Sequence, residues 1–132
     1  MKSRIIKTQH ETILIYGFDE IRTKAFKRIG NDLGLDIRTI PTASACETVG
    51  YLAGFDGFTS AEEHCSDDRQ CVIFSCIDGK KLNKILEKMR SLGLDSIPLK
   101  ATVTAYNQKM TLSELMDELS AEHSNFHSGK SE

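Results

Sequence analysis

Two short runs, Ile13-Leu14-Ile15-Tyr16 and Cys71-Val72-Ile73-Phe74, limit what this chain can become more than anything else in it. Neither alternates apolar with polar residues, so neither reads as a strand with one wet face. A brief continuous apolar run bounded by turn residues is expected to be a strand covered on both faces. Gly17 ends the first run, and a polar Ser75 ends the second.

The residues after each run have the spacing of a helix. Beyond the first, Asp19 is a candidate N-cap, and Ile21, Ala25, Phe26, Ile29 and Leu33 recur at helical intervals before Gly34. Beyond the second, Asp78 takes the cap position, and Leu82, Ile85, Leu86, Met89 and Leu92 make the apolar stripe before Gly93. Each helix leads into an alternating segment. Leu35, Ile37 and Thr39 interleave with Asp36, Arg38 and Ile40, and Ile97, Leu99, Ala101 and Val103 interleave with Pro98, Lys100, Thr102 and Thr104. Alternation predicts strands with one exposed face. Two further helix starts are expected, from Ser44 and Glu47 and from Thr111 and Glu114, each spaced as a capping box.

The halves align without a gap at an offset of 59, which sets Asp19 on Asp78 and Leu33-Gly34-Leu35-Asp36 on Leu92-Gly93-Leu94-Asp95. Thr48-Val49-Gly50-Tyr51-Leu52 matches Thr111-Leu112-Ser113-Glu114-Leu115 after a slip of four. The expectation is a single α/β domain built from a duplicated β-α-β-α unit. Its halves span residues 12–54 and 71–120, joined by a solvated loop at 55–70 that carries Glu62-Glu63 and Asp67-Asp68. Residues 1–11 read as a flexible arm and 121–132 as a frayed tail. Doubly apolar first and third strands belong at the sheet centre. That favours a mostly parallel four-stranded sheet in order 2-1-3-4 with helices on both faces, over a ferredoxin-like α+β sheet with one face open.

Composition removes several functions. The chain has 132 residues, enough for one core without staples. No stretch approaches the roughly 18 apolar residues of a membrane span, and the start lacks the pattern of a signal peptide. A cytoplasmic location is expected, with the four cysteines (Cys46, Cys65, Cys71 and Cys76) as reduced thiols. The net charge is −2, with no basic stripe and no tryptophan, so no nucleic-acid role is expected.

Few residues offer chemistry. In a parallel sheet, Asp19, Asp78, Ser75 and Cys76 would meet beyond the strand ends, forming a polar pocket at two helix N-termini. The plainer reading is two ordinary N-caps, since aspartate is strongly preferred there. No glycine-rich phosphate loop comes after either strand, and no serine or cysteine sits in a nucleophile elbow. Cys65, Cys71 and Cys76, with His64, lack the tight pairs of zinc or iron–sulfur sites, and Cys71 and Cys76 should point to opposite faces. His123 and His127 have chelating i, i+4 spacing but lie in the polar tail. No metal and no cofactor is expected.

The segment Leu99 to Leu115 is the most distinctive. With the strand and helix before it, it resembles a small bacterial family of domains of unknown function. That family's pattern is Lys-Ala-x-x-Thr-Pro-x-Asn and then a Thr-Leu-x-x-Leu helix. Lys100, Ala101, Thr104, Asn107, Thr111, Leu112, Leu115, Glu118, Glu122 and His123 match, over roughly residues 71–123. Ala105 stands where the family has proline, and Met110 where it has tryptophan. The resemblance implies the fold and a bacterial cytoplasmic origin, and brings no activity.

Read physically, Thr104 and Asn107 suit a turn, and Lys100 suits the wet face of an edge strand. Alternatively, Lys100, Thr104 and Asn107 converge on a small anionic ligand. The leading expectation is a non-enzymatic interaction or regulatory module with a protein partner or a second copy of itself, for instance by strand addition at residues 97–103. An anionic-ligand domain and a metal or redox role for the cysteines are the alternatives.

Overall fold

A computed structural model describes the backbone of residues 10–131 and the side chains of residues 10–122. The expected arm at 1–11 therefore lies almost wholly outside the described residues. So do the side chains of His123 and His127.

Four strands form one sheet: β1 (Thr12–Tyr16), β2 (Asp36–Thr39), β3 (Cys71–Ser75) and β4 (Lys100–Thr102), in the order β2-β1-β3-β4. The helices are α1 (Glu20–Leu33), α2 (Val49–Leu52), α3 (Gly79–Ser91) and α4 (Leu112–Ser131), with a 3-10 turn at Asn107–Lys109. α4 thus continues past the point where the sequence reads as a tail. Every residue of β1 and of β3 is buried, as continuous apolar runs require. Leu14, Tyr16, Cys71 and Ile73 pack against α2 and α4, while Ile13, Ile15, Val72 and Phe74 pack against α1 and α3. Helices therefore cover both faces, which excludes the open-faced ferredoxin-like alternative.

The strand directions are mixed. β1 and β2 are parallel, as are β3 and β4, but the central pair β1 and β3 is antiparallel. The sheet is mostly parallel by pair, with one reversal at its centre. Burial could not reveal that reversal, because a strand covered on both faces looks the same in either direction. The register sets Leu14 opposite Ile73, the residue 59 positions further along.

Local signals placed the helices. Asp19 accepts from Arg22 N (2.8 Å) and Asp78 from Lys81 N (2.8 Å), so both are N-caps. Gly34 closes α1 in left-handed backbone. Thr111 and Glu114 form the capping box, with bonds of 2.9 and 3.1 Å. Two expectations need correction. Ile21 is 80% exposed, because five residues before Phe26 it is turned about 140° away from the buried stripe. Ser44 and Glu47 make no capping box: Thr48 caps α2, accepting from Tyr51 N, and the Glu47 carboxylate accepts from Ser60 Oγ and Ala61 N instead.

Candidate functional site

The antiparallel centre separates the residues expected to share a crevice. Tyr16 lies opposite Cys71, and Thr12 opposite Ser75. Asp19 therefore stands at one end of the sheet, and Ser75, Cys76 and Asp78 at the other. The pocket imagined between the two aspartates does not form. Ser75 is buried with its hydroxyl 3.7 Å from Cys76 Sγ, and Cys76 is exposed in left-handed backbone.

Of Lys100, Thr104 and Asn107, the last two meet in one turn. Asn107 is buried and saturated: its Oδ1 accepts from Thr104 N (2.8 Å), its Nδ2 donates to Thr102 O (2.9 Å), and its N–H donates to Thr104 Oγ1 (3.0 Å). These bonds shape the turn between β4 and α4 and leave the pair little to offer a ligand. Lys100 turns back to donate to the Ile97 carbonyl. The turn reading accounts for Thr104 and Asn107.

The segment joining the halves is an irregular loop with no fully buried residue, and it is docked as a strap across the α2 and α4 face. Phe58 stacks onto Gly50, where a Cβ would come within 2.5 Å of its ring. Glu47, buried at the start of α2, holds Ser60 and Ala61. Further on, Cys65 pairs with the chain before α2: Ala45 N donates to Cys65 O (3.1 Å) and Cys65 N to Ala43 O (3.0 Å). Tyr16, fully buried at the end of β1, donates its hydroxyl to Thr42 O (2.7 Å) and accepts from Asp67 N (2.9 Å).

Asp67 and Arg69 lock the end of the strap. The guanidinium meets the Asp67 carboxylate in two bonds, Nε to Oδ1 (2.9 Å) and Nη2 to Oδ2 (2.7 Å), and reaches Asp117 of α4 at 2.9 Å. The bonds from Arg69 hold the Asp67 carboxyl at about 2, against the opposing effect of burial. The Arg69 pKa rises, first through its hydrogen bond to Asp67. A cleft of about 400 Å³ opens beside this pair, lined by Gly17, Asp68, Arg69, Gln70, Pro98, Leu99 and Ser120. Arg69's charge is already shared between two carboxylates, which weakens any claim that this cleft was built for an anion.

The strap also carries the site that sequence spacing missed. Cys46 and Cys65 are joined by a disulfide, with Cα atoms 5.3 Å apart. For this pair the expectation of reduced thiols is corrected. Cys65 does not gather with Cys71 and Cys76, which remain free. Cys71 lies within the sheet, where burial pushes its thiol up to about 12 and keeps it unreactive. Among the described residues, Glu63 brings a carboxylate oxygen to within 4.8 Å of both bridged sulfurs. With a sequence separation of 19, no local motif marks the two cysteines. The clue was negative: a strap that must cross α2 brings Cys65 back beside the chain from which α2 starts.

The neighbours of Cys46 matter as well. Glu47 O and Ala45 O accept from Leu112 N and Ser113 N, each at 2.9 Å, so they satisfy two of the first N–H groups of α4. The bridged cysteine thus sits between the two carbonyls that anchor the other half's last helix.

Comparison with known proteins is narrow. A domain described as a domain of unknown function (DUF3783) is found at residues 70–126, which takes in β3, α3, β4 and part of α4. No curated protein and no solved structure matches the chain.

Proposed function

We propose that this chain is a non-catalytic regulatory module of the bacterial cytoplasm whose state is set by the Cys46–Cys65 pair. The observation that carries this is where the disulfide lies: it fastens the strap to the residues that anchor α4. In a reducing compartment a lone bridged pair is more often a redox-sensing device than a structural staple. Oxidised, the pair holds the strap against α2; reduced, it leaves that task to the Glu47 and Tyr16 contacts. Its output is contact with another protein or a second copy of the chain, rather than turnover of a substrate. No helix among the described residues is long and apolar enough to cross a membrane.

The test equilibrates the full chain in glutathione buffers from fully reduced to fully oxidised. Alkylation and mass spectrometry then count free thiols, and limited proteolysis reads the strap. Cys46 and Cys65 should interconvert within that range, with cleavage at residues 55–64 faster in the reduced chain. A bridge that never forms, or one that yields only on denaturation, would overturn the reading. So would strap cleavage that ignores redox state.

A further inference from the structure

We infer that the reduced form of this same pair is a binding site for a thiophilic divalent cation, zinc above all, with Cys46, Cys65 and Glu63 as ligands. The inference rests on the dithiol reading in one respect: the sulfurs must be available as thiolates. The geometry argues for the rest. The two sulfurs and a Glu63 carboxylate oxygen lie within 4.8 Å of one another, a span that a single tetrahedral ion can bridge. The Cα separation of 5.3 Å suits a disulfide. Side-chain rotation can open the sulfurs to the spacing of about 3.8 Å that two thiolates adopt on zinc.

The frame that presents these ligands is fixed by backbone rather than by side chains. Cys65 is held on both sides, by Ala45 N at its carbonyl and by Ala43 O at its own N–H. Cys46 lies between Ala45 and Glu47, both bonded to the start of α4. Two residues before Cys65, exposed Glu63 can swing its carboxylate without disturbing the core. Two soft thiolates select zinc over magnesium or calcium, and three protein ligands leave the fourth position to water.

Metal and disulfide are then exclusive states of the same two sulfurs. On binding, two thiols release two protons and two thiolates take up one Zn²⁺. On oxidation by a low-molecular-weight disulfide, the two sulfurs bond to each other and two electrons pass to that reagent. It takes up two protons to become two thiols, and the ion is released.

The experiment uses the full chain, reduced with a phosphine and kept anaerobic, with Zn²⁺ as the probe and a chromophoric chelator as competitor. One equivalent should bind, and Co²⁺ in its place should show a thiolate-to-metal absorption band. Cys46→Ser or Cys65→Ser should abolish tight binding, Glu63→Gln should weaken it at least roughly tenfold, and Cys76→Ser should leave it unchanged. Zinc that stays at background while both thiols titrate as free overturns this inference and leaves the redox reading standing. Zinc held equally well by Glu63→Gln or Cys46→Ser overturns the assigned ligands. Thiols that bind zinc but never form the bridge in glutathione buffers sink the redox reading and not this one.

Discussion

At the end of β1 the chain turns through Gly17, and at the end of β3 it turns through Cys76. Both are left-handed (φ 86° and 61°), and both hand over after one apolar residue to an aspartate that caps the next helix. One turn is crowded and the other is open. A Cβ on Gly17 would come within 2.5 Å of the Arg69 carbonyl, whereas Cys76 carries its side chain into solvent. The turn itself tolerates a side chain at some cost. What demands glycine in the first half is the strap crossing above it. The halves share an order of elements, and the first has been shaped by the segment that folds over it.

The largest expected effect tests that contrast. Gly17→Ala should destabilise the chain by about 3 kcal/mol or more, read as a lowered urea midpoint, because left-handed strain and a backbone clash act together. Cys76→Gly should change stability by no more than about 1 kcal/mol, in the stabilising direction, since it relieves strain where nothing clashes. A Gly17→Ala cost no larger than that would mean the strap moves aside freely.

Acid should loosen the first half before the second. Asp67 titrates at about 2 in the folded chain against an ordinary 3.8, so its depressed pKa stabilises the fold above pH 4. That stabilisation is lost as pH falls from about 5 to 1, through the folded value near 2. With the Asp67 side chain 14% exposed, we expect on the order of 1–2 kcal/mol. Asp67→Asn should be less stable than the parent at pH 7, and the gap should close only at roughly pH 1, by urea unfolding at each pH. A gap that persists undiminished at about pH 1 would place the cause elsewhere. The corresponding lock in the second half, the Thr104–Asn107 turn, has no titrating group in its bonds and should be indifferent to acid.

The smallest effect separates the two matched helix starts. Thr111 exchanges two bonds with Glu114, whereas Thr48 makes one bond of 3.3 Å to Tyr51 N. Thr111→Ala should cost about 1 kcal/mol and Thr48→Ala about half that. Equal losses in thermal or urea melts would show that the reciprocal bond adds nothing.

Much of this architecture was legible in the sequence because its signals are local. Unbroken apolar runs marked β1 and β3, Asp19, Asp78 and Thr111 marked helix starts, and alternation marked the outer strands. What escaped was non-local. Direction in the central pair leaves no trace in a strand buried on both sides, and that single reversal dispersed the Asp19–Asp78 pocket. The strap docks partly through backbone groups of Ala43, Ala45 and Cys65, which carry no side-chain pattern. Cys46 and Cys65 could be matched only once that docking was known. Thr104 and Asn107 were legible as a turn from residue type alone, and their bonds are local, as that reading expects.

The antiparallel seam has a consequence for how such a fold could be assembled. The segment resembling DUF3783 opens with β3, five buried residues that form their inner edge only against β1. On its own, a unit of that kind would present an apolar strand with unmet backbone groups and would need a mate in another molecule. Here residues 12–54 are that mate, tethered by the strap at an effective concentration on the order of millimolar. What a shorter chain would have to obtain by encounter, this one carries covalently.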